Sequence, residues 1–160
     1  MRTLAPILAL ALAACSSYSP SVTEAPAGKI VVYKLPIEQA KTLVATTMSS
    51  HFAGRDVTPL TPPAIGYSTY TRMMLDTWST TVTILPVHAM VAGQGVDALR
   101  IDVQGSGSSV LTGRVIFEGF KDRLAAELAP SAVIADSYTP AVASPVSSPI
   151  LPQGQKQNGA

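Results

Sequence analysis

The side chains able to do chemistry are few in this chain and widely spread. Cys15 is the only cysteine among 160 residues, and His51 and His88 are the only histidines. A zinc site wants three or four convergent nitrogen or sulfur ligands, so this set predicts neither a metal centre nor a bound cofactor. Serines are abundant, but the G-x-S-x-G of a nucleophile elbow does not occur. Gly93-Gln-Gly95 and Gly105-Ser-Gly107 are fragments of a phosphate loop without its Lys-Ser/Thr pair, and they read as turns. Among carboxylates, Asp97 and Asp102 have an odd separation, which puts them on opposite faces of one strand. Glu118 and Asp122 are one helical turn apart, with Lys121 and Arg123, on what reads as a solvated face. The residue types therefore predict no catalytic site, and the chain reads as a non-enzyme. His51 is placed near a helix end, where a positive charge suits the dipole, and His88 in or beside a strand.

The thiol of Cys15 stands in a more telling context. Arg2 precedes an uncharged run, Leu4 to Ala14, that ends in Leu12-Ala13-Ala14-Cys15. At about 1.5 Å of rise per residue, such a run reaches roughly half of a bilayer core of about 30 Å. It is too short to span, and the small pair Ala13-Ala14 suits a peptidase cleft. Leu12-Ala13-Ala14-Cys15 resembles the lipobox of bacterial lipoprotein precursors. The resemblance implies cleavage before Cys15, a diacylglyceryl group on its sulfur and an acyl chain such as palmitate on its new amino terminus. One chain anchors marginally; several hold firmly. Ser16 follows, and in the enteric sorting pattern a residue other than Asp there resembles outer-membrane cargo. The expectation is a protein lipid-anchored to the outer membrane and facing the periplasm, with the inner membrane as the alternative.

Composition limits the partners. The chain has 11 basic and 10 acidic residues and a formal charge of +1. Loss of a leader carrying Arg2 would leave the two signs equal. No basic run of four or more exists, so neither nucleic acid nor a polybasic membrane patch is expected. With Cys15 lipidated no thiol is left for a disulfide, and the fold must rest on its own core.

Four segments follow from the pattern. Residues 1–14 read as signal peptide. Residues 15–28 read as the lipidated cysteine and a Ser/Pro-rich tether. Residues 29–129 read as one domain, long enough to bury a core unaided. Residues 130–160, with prolines at 130, 140, 145, 149 and 152, read as a disordered Pro-rich tail in which Val133-Ile134 and Pro149-Ile-Leu-Pro152 are apolar beads.

Within the domain, Lys29-Ile-Val-Val-Tyr-Lys34 reads as a β-branched strand. Pro36 opens a helix whose Ile37, Ala40, Val44, Met48 and Phe52 share one stripe. Val57 to Gly66, with Pro59, Pro62 and Pro63, reads as a loop. Tyr67 to Thr77 and Thr80 to Val91 read as two strands, with Pro86 arguing for an edge or bulge. Leu99, Ile101 and Val103 alternate as a half-buried strand. Gly105 to Ser109 is expected to turn the chain, and Val110 to Phe117 to return as its partner, with Leu111, Val115 and Phe117 on a common side. Glu118 to Ala129 is a second amphipathic helix, with Phe117, Phe120, Leu124 and Leu128 on one face. Thr69, Thr71, Thr77, Thr80, Thr81 and Thr83 form a weakly charged surface competent to pair with another chain. The sum is an α+β fold with an antiparallel sheet of four to five strands and two helices.

In length and layout the chain is similar to conjugal-transfer and secretion-system lipoproteins. That resemblance implies a structural or assembly component of an envelope complex with protein partners in the envelope. The alternatives are a periplasmic carrier of a small molecule or lipid, with a pocket between the sheet and the helix from Pro36 to Phe52, and, further off, a hydrolase.

Overall fold

The computed structural model describes residues 16–18, 22, 25–73, 76–107 and 112–141. The fold is α+β, with two helices on an antiparallel sheet. In chain order the strands are β1 (Ser16–Tyr18), β2 (Ile30–Tyr33), β3 (Val57–Pro59), β4 (Gly66–Met73), β5 (Asp76–Val91), β6 (Gln94–Gly107), β7 (Ala132–Ala135) and β8 (Ser137–Pro140). The helices are α1 (Ile37–His51) and α2 (Thr112–Leu128). The sheet has eight strands, more than the four to five expected, in the order β3-β4-β5-β6-β2-β7, with β1 on β6 and β8 on β5.

The β5–β6 hairpin is the frame. It is paired from Trp78↔Gly107 to Val91↔Gln94. Ala92 and Gly93, both at positive φ, make its tight turn. One face is buried in the half remote from this turn: Trp78, Thr80, Val82 and Ile84 in β5, with Leu99, Ile101, Val103 and Gly105 in β6. The other face is buried in the near half, at Val87, Ala89 and Ala98. Register is continuous through the change, since Ile84↔Ile101, Leu85↔Arg100, Pro86↔Leu99 and Val87↔Ala98 are successive partners.

The helices cover the first face. Ala40, Val44 and Met48 of α1 and Phe117, Phe120, Leu124 and Leu128 of α2 are fully buried there, against Val31 and Tyr33 of β2 and the hairpin. The second face is closed differently. β7 pairs with β2, the chain bends at Asp136, and β8 pairs with β5. Because β2 also pairs with β6, the strand pairings form a ring, β5-β6-β2-β7/β8-β5. Val32, Val87, Ala89, Ala98 and Ala135 fill it; small side chains suit so narrow an interior.

Pro86 sits where its missing donor is harmless. β4 ends its pairing at Gly66↔Thr83, and β8 begins at Val87↔Pro140. The Pro86 carbonyl accepts from the Ala141 N–H on that side. Its nitrogen faces the same side, into the gap between the two partner strands. The proline marks a junction between partners rather than the edge or bulge expected.

Three further expectations change. The segment Gly105 to Ser109 does not turn a hairpin: Gly105 and Gly107 lie within β6, and α2 has begun by Thr112. A Cβ built on Gly105 would fall 2.8 Å from both Phe117 and Trp78, and one on Gly113 would fall 2.7 Å from Trp78. These glycines make room for an indole. Val115 does not share the side of Phe117, being 71% exposed. Neither end of the domain lies where composition put it. Ser16–Tyr18 pairs with Gly105–Gly107 and Val22 is buried, so the 15–28 segment is part of the fold at these points. At the other end a 3₁₀ turn at Ala129–Ser131 leads into β7 and β8, carrying the folded part to Ala141. The bead Val133-Ile134 belongs to β7. Residues 142–160, with the second bead, lie outside the described residues.

A chain ending after Ala141 is expected to unfold cooperatively, with a urea midpoint close to that of the 160-residue protein. A chain ending after Ala129 loses β7 and β8 and exposes Val32, Val87 and Ala89. Its midpoint is expected to drop by an amount equal to several kcal/mol, as for large losses of buried contact, read by Trp78 fluorescence.

Candidate functional site

Cys15 lies outside the described residues. The residue after it begins β1, which runs antiparallel to the end of β6, with Ser16 opposite Gly107. Cys15 thus precedes by one peptide link the end of the sheet formed by Trp78 and Gly107.

The two histidines are held apart in different elements. His51 is the last residue of α1, and its Nε2–H donates to the Ile116 carbonyl of α2 at 2.9 Å. Its ring stands against Phe52 and Phe120, with centroids 5.0 and 5.6 Å away. It therefore fastens one helix to the other rather than serving the α1 dipole alone. His88 lies in β5 opposite Asp97, with Nδ1 3.1 Å from the carboxylate and both side chains mostly in solvent. An exposed pair of this kind contributes little. Among the described residues no group of three His, Cys, Asp or Glu side chains converges on a metal-sized site.

Three of the four candidate carboxylates face a basic side chain, and Asp122 is exposed. Asp97 faces His88, and Asp102 accepts from Arg100 Nε at 2.8 Å. Glu118 pairs with Lys121 at 3.4 Å. Asp122 and Arg123 are exposed, as the charge pattern implied, but Lys121 is 8% exposed and does not share that solvated face.

Arg100 is the polar centre that the sequence did not reveal. Its guanidinium also donates to the Tyr138 hydroxyl and lies over the Tyr138 ring, 4.9 Å from the centroid. Burial lowers the Arg100 pKa, but the Asp102 and Tyr138 contacts outweigh it and hold the group above its ordinary value, fully charged. The cluster clamps β8 across β6. One half was legible, since Arg100 and Asp102 are two apart on one strand face. The other half was not, because Tyr138 stood in the presumed tail.

The threonine surface divides between the faces. Thr69 and Thr80, opposite each other across β4 and β5, are 3% and 1% exposed. Their hydroxyls, with the Trp78 indole Nε1, have no hydrogen-bond partner. Thr71, Thr77, Thr81 and Thr83 are half-buried. Tyr70 is 58% exposed. It borders a shallow cavity of about 390 Å³ that Arg55, Asp56, Ser68 and Ser79 also line. A second groove runs between the outer sides of α1 and α2 at Gln39, Leu43 and Glu127. Both are open surface features. The space proposed for a carried ligand, between the sheet and α1, is occupied by Val44, Met48 and Phe52 packed on Phe120 and Leu124, all at most 5% exposed.

No known family, curated protein or solved structure matches this chain.

Two outcomes follow from this polar chemistry. Thr80→Val removes an orphaned hydroxyl and is expected to leave stability unchanged or to raise it by up to about 1 kcal/mol. Arg100→Ala strands Asp102 and releases Tyr138, and is expected to cost roughly 2 kcal/mol. Both are read from urea unfolding, with the Arg100→Ala loss accompanied by faster amide exchange in β8.

Proposed function

We propose that this protein is a lipid-anchored, non-enzymatic assembly component of a bacterial envelope complex. It faces the periplasm from the outer membrane, through lipid carried on Cys15, and belongs to an apparatus of the conjugal-transfer or secretion kind. The observation that carries this reading is β1. The residue following the lipobox cysteine is already paired to the sheet, at Ser16↔Gly107. An anchor so joined moves with the domain as one body, which suits a part that must present a fixed surface to neighbours.

Two further features support it. The α1–sheet interface is filled by side chains, which favours a docking body over a carrier. Both histidines are bound into other contacts, His51 to the Ile116 carbonyl and His88 to Asp97, and neither contact is to a nucleophile. The surface offered to partners is the sheet face away from the helices, where Tyr70 and Leu85 are exposed. Aromatic residues are enriched at the centres of protein interfaces.

The test is crosslinking in the native envelope followed by identification of what copurifies. Wild-type protein is expected to bring a defined set of envelope proteins, and Cys15→Ser to lose them while remaining folded. Unchanged partners in Cys15→Ser would remove the anchor from the assembly role. A lone protein carrying a lipid or small molecule would replace the assembly role with the carrier reading.

A further inference from the structure

The strand after the proposed anchor fixes which end of the domain meets the bilayer. β1 starts at Ser16 and runs away from that end, because it is antiparallel to β6, which finishes there at Gly107. Gly107 is opposite Trp78, and Trp78 is opposite Thr71, so Ser16, Gly107, Trp78 and Thr71 form one row across four strands. At about 4.8 Å per strand, Thr71 is about 14 Å from Ser16. Gly113 of α2 packs on the Trp78 ring and brings the first turn of α2 to the same end.

That end has the surface chemistry of a lipid contact. Val115 is 71% exposed, the most exposed of the large apolar side chains among the described residues. Arg114 beside it and Arg72 on β4 are exposed cations. Asp76 lies one register position beyond Thr77, the partner of Arg72, so the positive excess is small and the apolar contact has to carry the association.

The far end differs. The β5–β6 turn lies about 50 Å away, the length of a strand like β5. There Met90 and Ile134 are exposed to lesser degrees, beside the His88–Asp97 and Lys29–Asp136 pairs.

We infer that the end formed by Arg72, Trp78, Arg114 and Val115 rests on the lipid headgroups, with Val115 in the interface. The β5–β6 hairpin then stands away from the membrane and presents its open sheet face sideways to neighbours. This inference rests on the lipid anchor at Cys15. The occupant follows from where the chain outside the described residues joins the fold. Cys15 is one residue from Ser16, so acyl chains on it cannot enter a bilayer without bringing this end to its surface. Val115 and the arginines suit an interface in which apolar side chains sink among headgroups and cations stay at their level.

Hydrogen–deuterium exchange on the protein purified from its native membrane tests it, in detergent and on vesicles of phosphatidylethanolamine and phosphatidylglycerol. The first amides of α2 have no intrahelical acceptor and report directly on what covers them. Vesicles are expected to slow exchange several-fold in peptides covering 72–78 and 112–117 and to leave 88–97 unchanged. Val115→Asp, at an exposed site, is expected to abolish the slowing at 112–117 while the detergent pattern stays wild-type. Slowing at 88–97 instead, or equally at both ends, overturns the orientation. The intact mass separates this from failure of the anchor: a mass without acyl chains removes the anchor reading and the inference together.

Discussion

A strand of sixteen residues paired along its length with one of fourteen cannot bury a single face and remain a small domain. The β5–β6 hairpin meets this constraint by burying one face in one half and the other face in the other. Two coverings then become necessary. The helices close the first face with aromatic and aliphatic bulk. The β7–β8 segment closes the second by bridging β2 and β5, and only alanines and valines fit inside. β2 belongs to both halves, with Val31 and Tyr33 on the helix side and Val32 on the other, which is why it is the unbroken apolar run Ile30-Val-Val-Tyr33. Pro86 stands at the exchange point between the two outer partners of β5, where a donor would have nothing to bond.

The same constraint explains the glycines around Trp78. On the helix side of the remote half, Gly105 of β6 and Gly113 of α2 both lie against the Trp78 ring. The indole fills the space these residues leave, 6.0 Å from the Phe117 ring. Glycine in a strand or a helix interior is unfavourable by roughly 0.5–1 kcal/mol against alanine. Here the cost is offset by an aromatic that would otherwise have no seat.

How much could be read from the residues followed from how local each cause was. The α1 stripe, the apolar α2 face at Phe117, Phe120, Leu124 and Leu128, and the alternation Leu99-Ile101-Val103 are local patterns, and all are in the structure. The α+β class with an antiparallel sheet followed from them. What escaped was set by distant contacts. Gly105-Ser-Gly107 looks like a turn until Trp78 is placed against it. The start of α2 was hidden because Gly113 argues locally against a helix. The tail was read by its prolines, yet Pro130 precedes β7 and Pro140 is the last residue of β8, so neither interrupts a strand. Val87 and Ala89 break the alternation of Val82 and Ile84 because the covering changes sides, an event that one strand cannot announce. For the site, the Arg100–Asp102–Tyr138 clamp could not be read from the sequence, because it needed a residue from the segment assigned to the tail.

The buried polar atoms show where stability is unevenly spent. Thr69 Oγ1, Thr80 Oγ1 and Trp78 Nε1 all lack partners, and all lie in the remote half, within one strand pair of one another. A buried unpartnered polar group costs about 1–3 kcal/mol. The near half has no such debit among the described residues, and its clamp at Arg100 is fully engaged. Local opening should therefore begin at the Trp78 corner, where β1 joins the sheet by only three residues. That corner is also where an anchor at Cys15 would hold the chain. Opening would admit water to these buried atoms, and a bilayer surface against the corner would oppose it. Attachment and local stability would then be coupled at one end of the hairpin, while the half closed by β7 and β8 keeps its shape independently of the membrane.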